Sequence, residues 1–101
     1  MIRHIVLIRA GSGTDLIELR NVLAALDGLR ARLPGMRNFH AGADVSPEGL
    51  QRGYTHAFTI DFADTVARDA YLVDPEHKTL GGRLSACVGG RDNILVVDFA
   101  L

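Results

Sequence analysis

Cysteine is almost absent from this chain: Cys87 is the only one among 101 residues. No intrachain disulfide can form, and no cysteine-based metal cluster can assemble. Lysine is equally scarce, since Lys78 is the single lysine among 11 basic side chains. That arginine bias, with the many Ala and Gly residues, points to a GC-rich bacterial source. Neither sign of charge is in excess. A formal net charge of −1 gives no electrostatic reason to expect nucleic acid or an anionic membrane as partner. Long apolar runs are missing as well; none approaches the roughly 20 residues that a membrane helix needs. Met1-Ile2-Arg3-His4 lacks the apolar run of a signal peptide. The expectation is a cytoplasmic protein folded as one domain over residues 1–101. With 48% hydrophobic and 23% charged residues, the chain has ordinary globular composition rather than the signature of disorder.

The most informative stretch is Gly53-Tyr54-Thr55-His56-Ala57-Phe58-Thr59-Ile60-Asp61-Phe62. It alternates strictly, as a β-strand with one buried face does. Tyr54, His56, Phe58, Ile60 and Phe62 share one face, and Thr55, Ala57, Thr59 and Asp61 the other. Earlier in the chain, Ile2 to Arg9 reads as a strand that is apolar on both parities, with His4, Val6 and Ile8 opposite Ile5 and Leu7.

Asp15 and Glu18, at capping-box spacing, open a helix whose apolar stripe runs from Leu16 through Leu19, Val22, Leu26 and Leu29 to Leu33. Pro34-Gly35 closes it. Met36 to Val45 reads as a weak edge strand, with Phe39, Ala41 and Ala43 on the parity of Arg37. Asp64 caps a second helix from Thr65 to Leu72, with Val66, Ala67, Ala70 and Tyr71 as its apolar positions. Asp74-Pro75 starts a third, running to about Cys87 with Leu80, Leu84 and Val88 on one face. Gly89-Gly90 breaks it, and Ile94 to Phe99 forms the last strand.

The order β-α-β-β-α-α-β fits an α+β, ferredoxin-like arrangement: a four-stranded antiparallel sheet with helices on one face. Helices covering His4, Val6 and Ile8 leave Ile5, Leu7, Leu95 and Val97 bare. A contiguous apolar face of that kind calls for a second subunit, and a two-fold homodimer with sheet facing sheet closes it most simply.

Four histidines carry the candidate chemistry. His4 and His56 read either as core residues bonded to backbone carbonyls or as members of a pocket beside Val6 and Phe58. His77 falls at the third position of a helix, where the dipole favours the neutral base, or else it faces solvent. His40 has no assignable partner. Tyr71 precedes His77 by six residues across the Asp74-Pro75 break. A phenol and an imidazole meeting in one pocket can serve as proton donor and general base; otherwise the ring packs and its hydroxyl reaches the surface. A histidine-only metal site from His4, His56 and His77 lacks any short-range ligand spacing. Gly11-Ser12-Gly13 lacks the third glycine of a dinucleotide loop and reads as a turn. No cofactor is expected, and Cys87 reads as a small buried hydrophobe.

Several of these segments recur together. His4-Ile5-Val6-Leu7, Pro34-Gly35, Gly53-Tyr54-Thr55-His56, Tyr71 with Asp74-Pro75-Glu76-His77, and Val97-Asp98-Phe99 resemble the stress-responsive A/B barrel (Dabb) family. The resemblance spans nearly the whole chain and implies a dimeric ferredoxin-like α/β barrel. Family members include stress-associated proteins without a settled activity and plant polyketide cyclases that close a ring by aldol condensation. In the cyclases, residues matching His77 and Tyr71 carry the proton transfers, and histidines matching His4 and His56 line the pocket. This chain departs from them at Gly89-Gly90-Arg91-Asp92-Asn93, which replaces a bulkier, aromatic-bearing approach to the last strand. The expected function is therefore binding or processing of a small organic molecule in a histidine-lined pocket. The alternatives are cyclase-like aldol closure by His77 and Tyr71, a non-catalytic stress-associated dimer, and, on fold analogy alone, a cofactor-free monooxygenase.

Overall fold

The computed structural model describes residues 1–101. Its elements are β1 (Ile2–Ile8), α1 (Leu16–Gly28), β2 (Met36–Ala43), β3 (His56–Phe62), α2 (Thr65–Val73), α3 (Pro75–Cys87) and β4 (Ile94–Ala100). The strands form one antiparallel sheet in the order β2-β3-β1-β4. Helices cover the face bearing Val6, Ile8, Phe58, Ile60 and Phe62, and the core lies between. This is the ferredoxin-like α+β architecture that the element order predicts. No helix is long and apolar enough to cross a membrane.

Three local expectations need correction. The central strand begins at His56 rather than Gly53, because Arg52 (φ 55°) and Gly53 (φ 87°) make a left-handed turn. Tyr54 lies outside the strand, its ring 5.0 Å from the Arg9 guanidinium. On β2, the pairing slips between Arg37 and His40, with Asn38 at φ 42°. The bulge lets Met36 and Phe39 both pack on the core despite their opposite parities. Finally, α1 ends at Gly28 and a single 3-10 turn, Leu29–Ala31, carries the chain towards Pro34-Gly35. Gly35 also sets how closely the chain approaches α2. A Cβ there would collide with the Ala67 methyl group, so only glycine admits this contact.

The helix caps form as their residue types dictate. Asp15 accepts from the N–H groups of Ile17 and Glu18, and Asp64 from that of Ala67. Asp74 accepts from the His77 N–H at 3.0 Å and is gripped by both Arg32 nitrogens at 2.8 Å. Those bonds hold its carboxyl far below the usual carboxylate range, the Arg32 guanidinium contributing most. Of the apolar positions on α2, only Tyr71 is fully buried, while Val66 is exposed.

The opposite sheet face carries no helix. Leu95, Val97 and Phe99 are 42, 52 and 47% exposed there, beside half-buried Ile5 and Leu7.

Candidate functional site

The edge strand decides where a cavity opens. β4 pairs only with β1, and no helix packs closely over it. Val96 faces inward beside Val6 yet remains 54% exposed. Between α3 and this uncovered edge lies a cavity of about 1030 Å³. β1 contributes His4 and Val6 to its lining, β3 Phe58, α2 Tyr71, and α3 His77 and Leu84.

Within the cavity the aromatic rings are in contact. The His77 and Tyr71 centroids are 3.9 Å apart with planes at 38°, and His4 meets Tyr71 edge-on at 5.8 Å. The Asp74 cap causes the first contact: it stops α2 just after Tyr71 and seats His77 in the first turn of α3. His4 is tied down from behind. Its Nδ1 donates to Asp98 Oδ1 at 2.7 Å, and Arg68 donates to the other Asp98 oxygen at 3.0 Å. A carboxylate only accepts, so Nδ1 carries the proton. In the neutral ring Nε2 is then left as an acceptor.

Two polar atoms in this cluster have no partner: Tyr71 Oη and His77 Nδ1 are both buried without a hydrogen bond. Such atoms are rare in native proteins and point to a missing partner. Burial pushes the Tyr71 phenol well above its ordinary range, so it stays protonated. Burial also pushes His77 down, outweighing the Leu72 carbonyl, which pulls the other way. A neutral imidazole beside a protonated phenol is a base beside a hydrogen-bond donor.

His56 does not join them. β1 and β3 run antiparallel, with His4 opposite Ile60 and His56 opposite Ile8. Four residues of strand separate the two histidines, about 13 Å at the usual rise. His56 instead lines a groove between α1 and β2 with Phe39 and His40, its Nδ1 2.8 Å from Thr55 Oγ1. His4, Tyr71 and His77 therefore meet beside Val6 and Phe58, without His56. No group of three or more His, Cys, Asp or Glu side chains is arranged to hold a metal ion. Cys87 is half-buried, and its thiol donates to the Asp15 carbonyl at 3.4 Å.

Sequence reasoning missed Asp98 and Arg68 as partners of His4. A signal for Asp98 was available, since it interrupts an apolar strand on the parity of Ile94 and Val96. Nothing local in the sequence marks Arg68, which reaches Asp98 from α2.

Four antiparallel strands with three helices on one face define a ferredoxin-like α+β domain, here with a cavity at the open edge of the sheet. The family model described as Stress responsive A/B Barrel Domain matches residues 2–101, and the chain belongs to that family. It is 29% identical over 98 residues to the stress-response A/B barrel domain-containing protein HS1 of Arabidopsis thaliana, spanning 97% of this chain and 87% of that one. Among solved structures, a dimeric ferredoxin-like protein of unknown function from Jannaschia sp. CCS1 superposes with a TM-score of 0.91 at 35% identity, covering 99% of this chain and 98% of that one. A hydroxynitrile lyase from Passiflora edulis shares the fold, with a TM-score of 0.85 at 22% identity over 99% of this chain and 92% of its own.

Proposed function

We propose that this protein binds a small organic molecule in the cavity beneath α3, and that Tyr71 and His77 act on it as a proton-transfer pair. The observation that carries this reading is the pair of buried, unpartnered atoms, Tyr71 Oη and His77 Nδ1, on the wall of a cavity. In the proposed chemistry, the neutral imidazole removes a proton from a carbon next to a carbonyl. The C–H electron pair moves into the carbon–carbon bond and the carbonyl electrons onto oxygen, where the Tyr71 O–H steadies the oxyanion. An aldol ring closure follows if the resulting enolate carbon attacks a second carbonyl of the same molecule. His4, fixed by Asp98, offers Nε2 as a further acceptor.

Ligand-observed NMR with a set of aryl and alkyl ketones and acids tests the reading. Wild-type protein and a His56→Ala variant should bind the same compounds, and a Leu84→Trp variant, which fills the cavity, should bind none. Equal binding by all three proteins would sink the reading and leave a scaffold with packed histidines.

The same proposal includes a homodimer through the bare sheet face. Leu95, Val97 and Phe99 form an exposed apolar patch beside Ile5 and Leu7, and the Jannaschia relative is described as dimeric. Light scattering should give twice the chain mass, and Leu7→Glu should shift it towards monomer by burying an unpaired charge.

A further inference from the structure

We infer that the ligand is an organic carboxylate with an apolar body, its charge held by Lys78 and Arg91 at the mouth of the cavity. This rests on the small-molecule reading above and names the chemical class that the site selects.

Charge is the first ground. The cavity lining includes Lys78 and Arg91 and no Asp or Glu. Neither cation forms a side-chain hydrogen bond or an ion pair within the protein, and both are exposed. Asp74 and Glu76, in the same turn of α3 as Lys78, are engaged by Arg32, and Asp98 by Arg68 and His4, while Asp92, next to Arg91 in the chain, forms no ion pair with it. Two free cations at the rim of a low-dielectric cleft favour entry of an anion.

Hydrogen-bond demand is the second ground. The Tyr71 side chain is 1% exposed and its protonated hydroxyl has no partner. A buried O–H donor calls for an acceptor oxygen, which a carboxylate or an adjacent carbonyl supplies.

Space is the third. Gly81 and Gly82 lie inside α3, where glycine weakens a helix, and Gly90 lies just beyond its end. All three line the cavity, and a Cβ on any of them would meet no protein atom within 4 Å. Packing therefore does not ask for glycine at these positions, and backbone conformation asks for it only at Gly90, whose φ is 131°. Together they leave the wall between Lys78 and Arg91 open. Val6, Phe58, Leu84 and Val96 form apolar lining suited to a hydrocarbon body.

Two-dimensional amide NMR titrations with para-butylbenzoate and its neutral isostere para-butylbenzamide test the inference. The benzoate should shift cavity amides such as those of Val6 and Leu84 and bind roughly tenfold or more tighter than the amide, the size of a charge-assisted contact. Added salt should erode that preference. A Lys78→Gln, Arg91→Gln double variant should lose the preference while still binding the amide as wild type does. If both probes enter the cavity with equal affinity, the carboxylate inference falls and the small-molecule reading stands. The inference also falls if the preference survives in the double variant. If neither probe shifts any cavity amide, both readings fall together.

Discussion

Two grooves open on the helix-covered side of this sheet, and each holds two histidines. One, of about 1030 Å³, contains His4 and His77; the other, of about 650 Å³ between α1 and β2, contains His40 and His56. In the second groove, His56 Nδ1 lies beside the Thr55 hydroxyl and His40 is exposed, so neither ring has an unmet demand within the protein interior. In the first, His4 is held by a carboxylate that is itself held by an arginine, while His77 and Tyr71 keep buried atoms without partners. Residue type is the same in both places. What differs is whether the protein finishes its own hydrogen bonding, and an unfinished cluster on a cavity wall is what a ligand can complete.

The largest effect that separates the two grooves should come from the histidines themselves. If the ligand is turned over, His77→Ala should lower turnover by roughly 10²–10⁴-fold, the range for loss of a general base, with the fold retained by circular dichroism. His56→Ala should leave turnover close to wild type. Equal losses in the two variants would erase the distinction between the grooves.

A second variant attacks what seats His77. Asp74 caps α3 through the His77 N–H and is gripped by Arg32, so Asp74→Ala removes a cap and an ion pair together. Thermal melts should show a Tm lower by roughly 5 °C or more. A Tm within error of wild type would mean that neither interaction matters to the break between α2 and α3.

A smaller effect should run in opposite directions on stability and binding. Gly81→Ala adds a methyl group where no protein atom stands, in the middle of a helix. It should raise stability by about 0.5–1 kcal/mol and weaken binding in the cavity. A variant more stable and equally competent would show that the space at Gly81 serves no ligand.

The smallest effect is in pH. Burial holds the folded-state value of His77 below its ordinary 6.5, so the unfolded chain takes up the proton first as pH falls. The stability owed to neutral His77 is complete above about 6.5 and is lost as pH drops through the lower, folded value. Asp61 and Asp74, both shifted down mainly by hydrogen bonds from arginines, add a second loss below about pH 4. Melts across pH should therefore slope less just below 6.5 in His77→Phe than in wild type. Parallel slopes would remove burial of His77 as the cause.

Much of the fold was legible because its signals are local. The parities of β1 and β4 and the Asp15, Asp64 and Asp74 caps each depend on residues within a few positions of one another. The misreadings arose where a local pattern met a distant demand. Alternation through Gly53-Tyr54 continued the look of a strand past a left-handed turn, and the bulge at Asn38 placed Met36 on the core against simple parity. Of the candidate site, Tyr71 and His77 were readable as a pair because a single helix break separates them.

Alone, the sequence determined the order of the elements, the faces that β1, β3 and β4 turn to the helices, and the helix break that separates Tyr71 from His77. These follow from backbone periodicity and capping, which act over one or two turns of chain. Only the tertiary structure decided which histidines share a cavity. Register sets His4 against Asp98, 94 residues away, and an antiparallel offset carries His56 to the other groove. The edge position of β4, uncovered by any helix, opened the cavity itself. Such outcomes come from pairing between strands far apart in the chain, where a shift of one residue would turn every side chain to the opposite face.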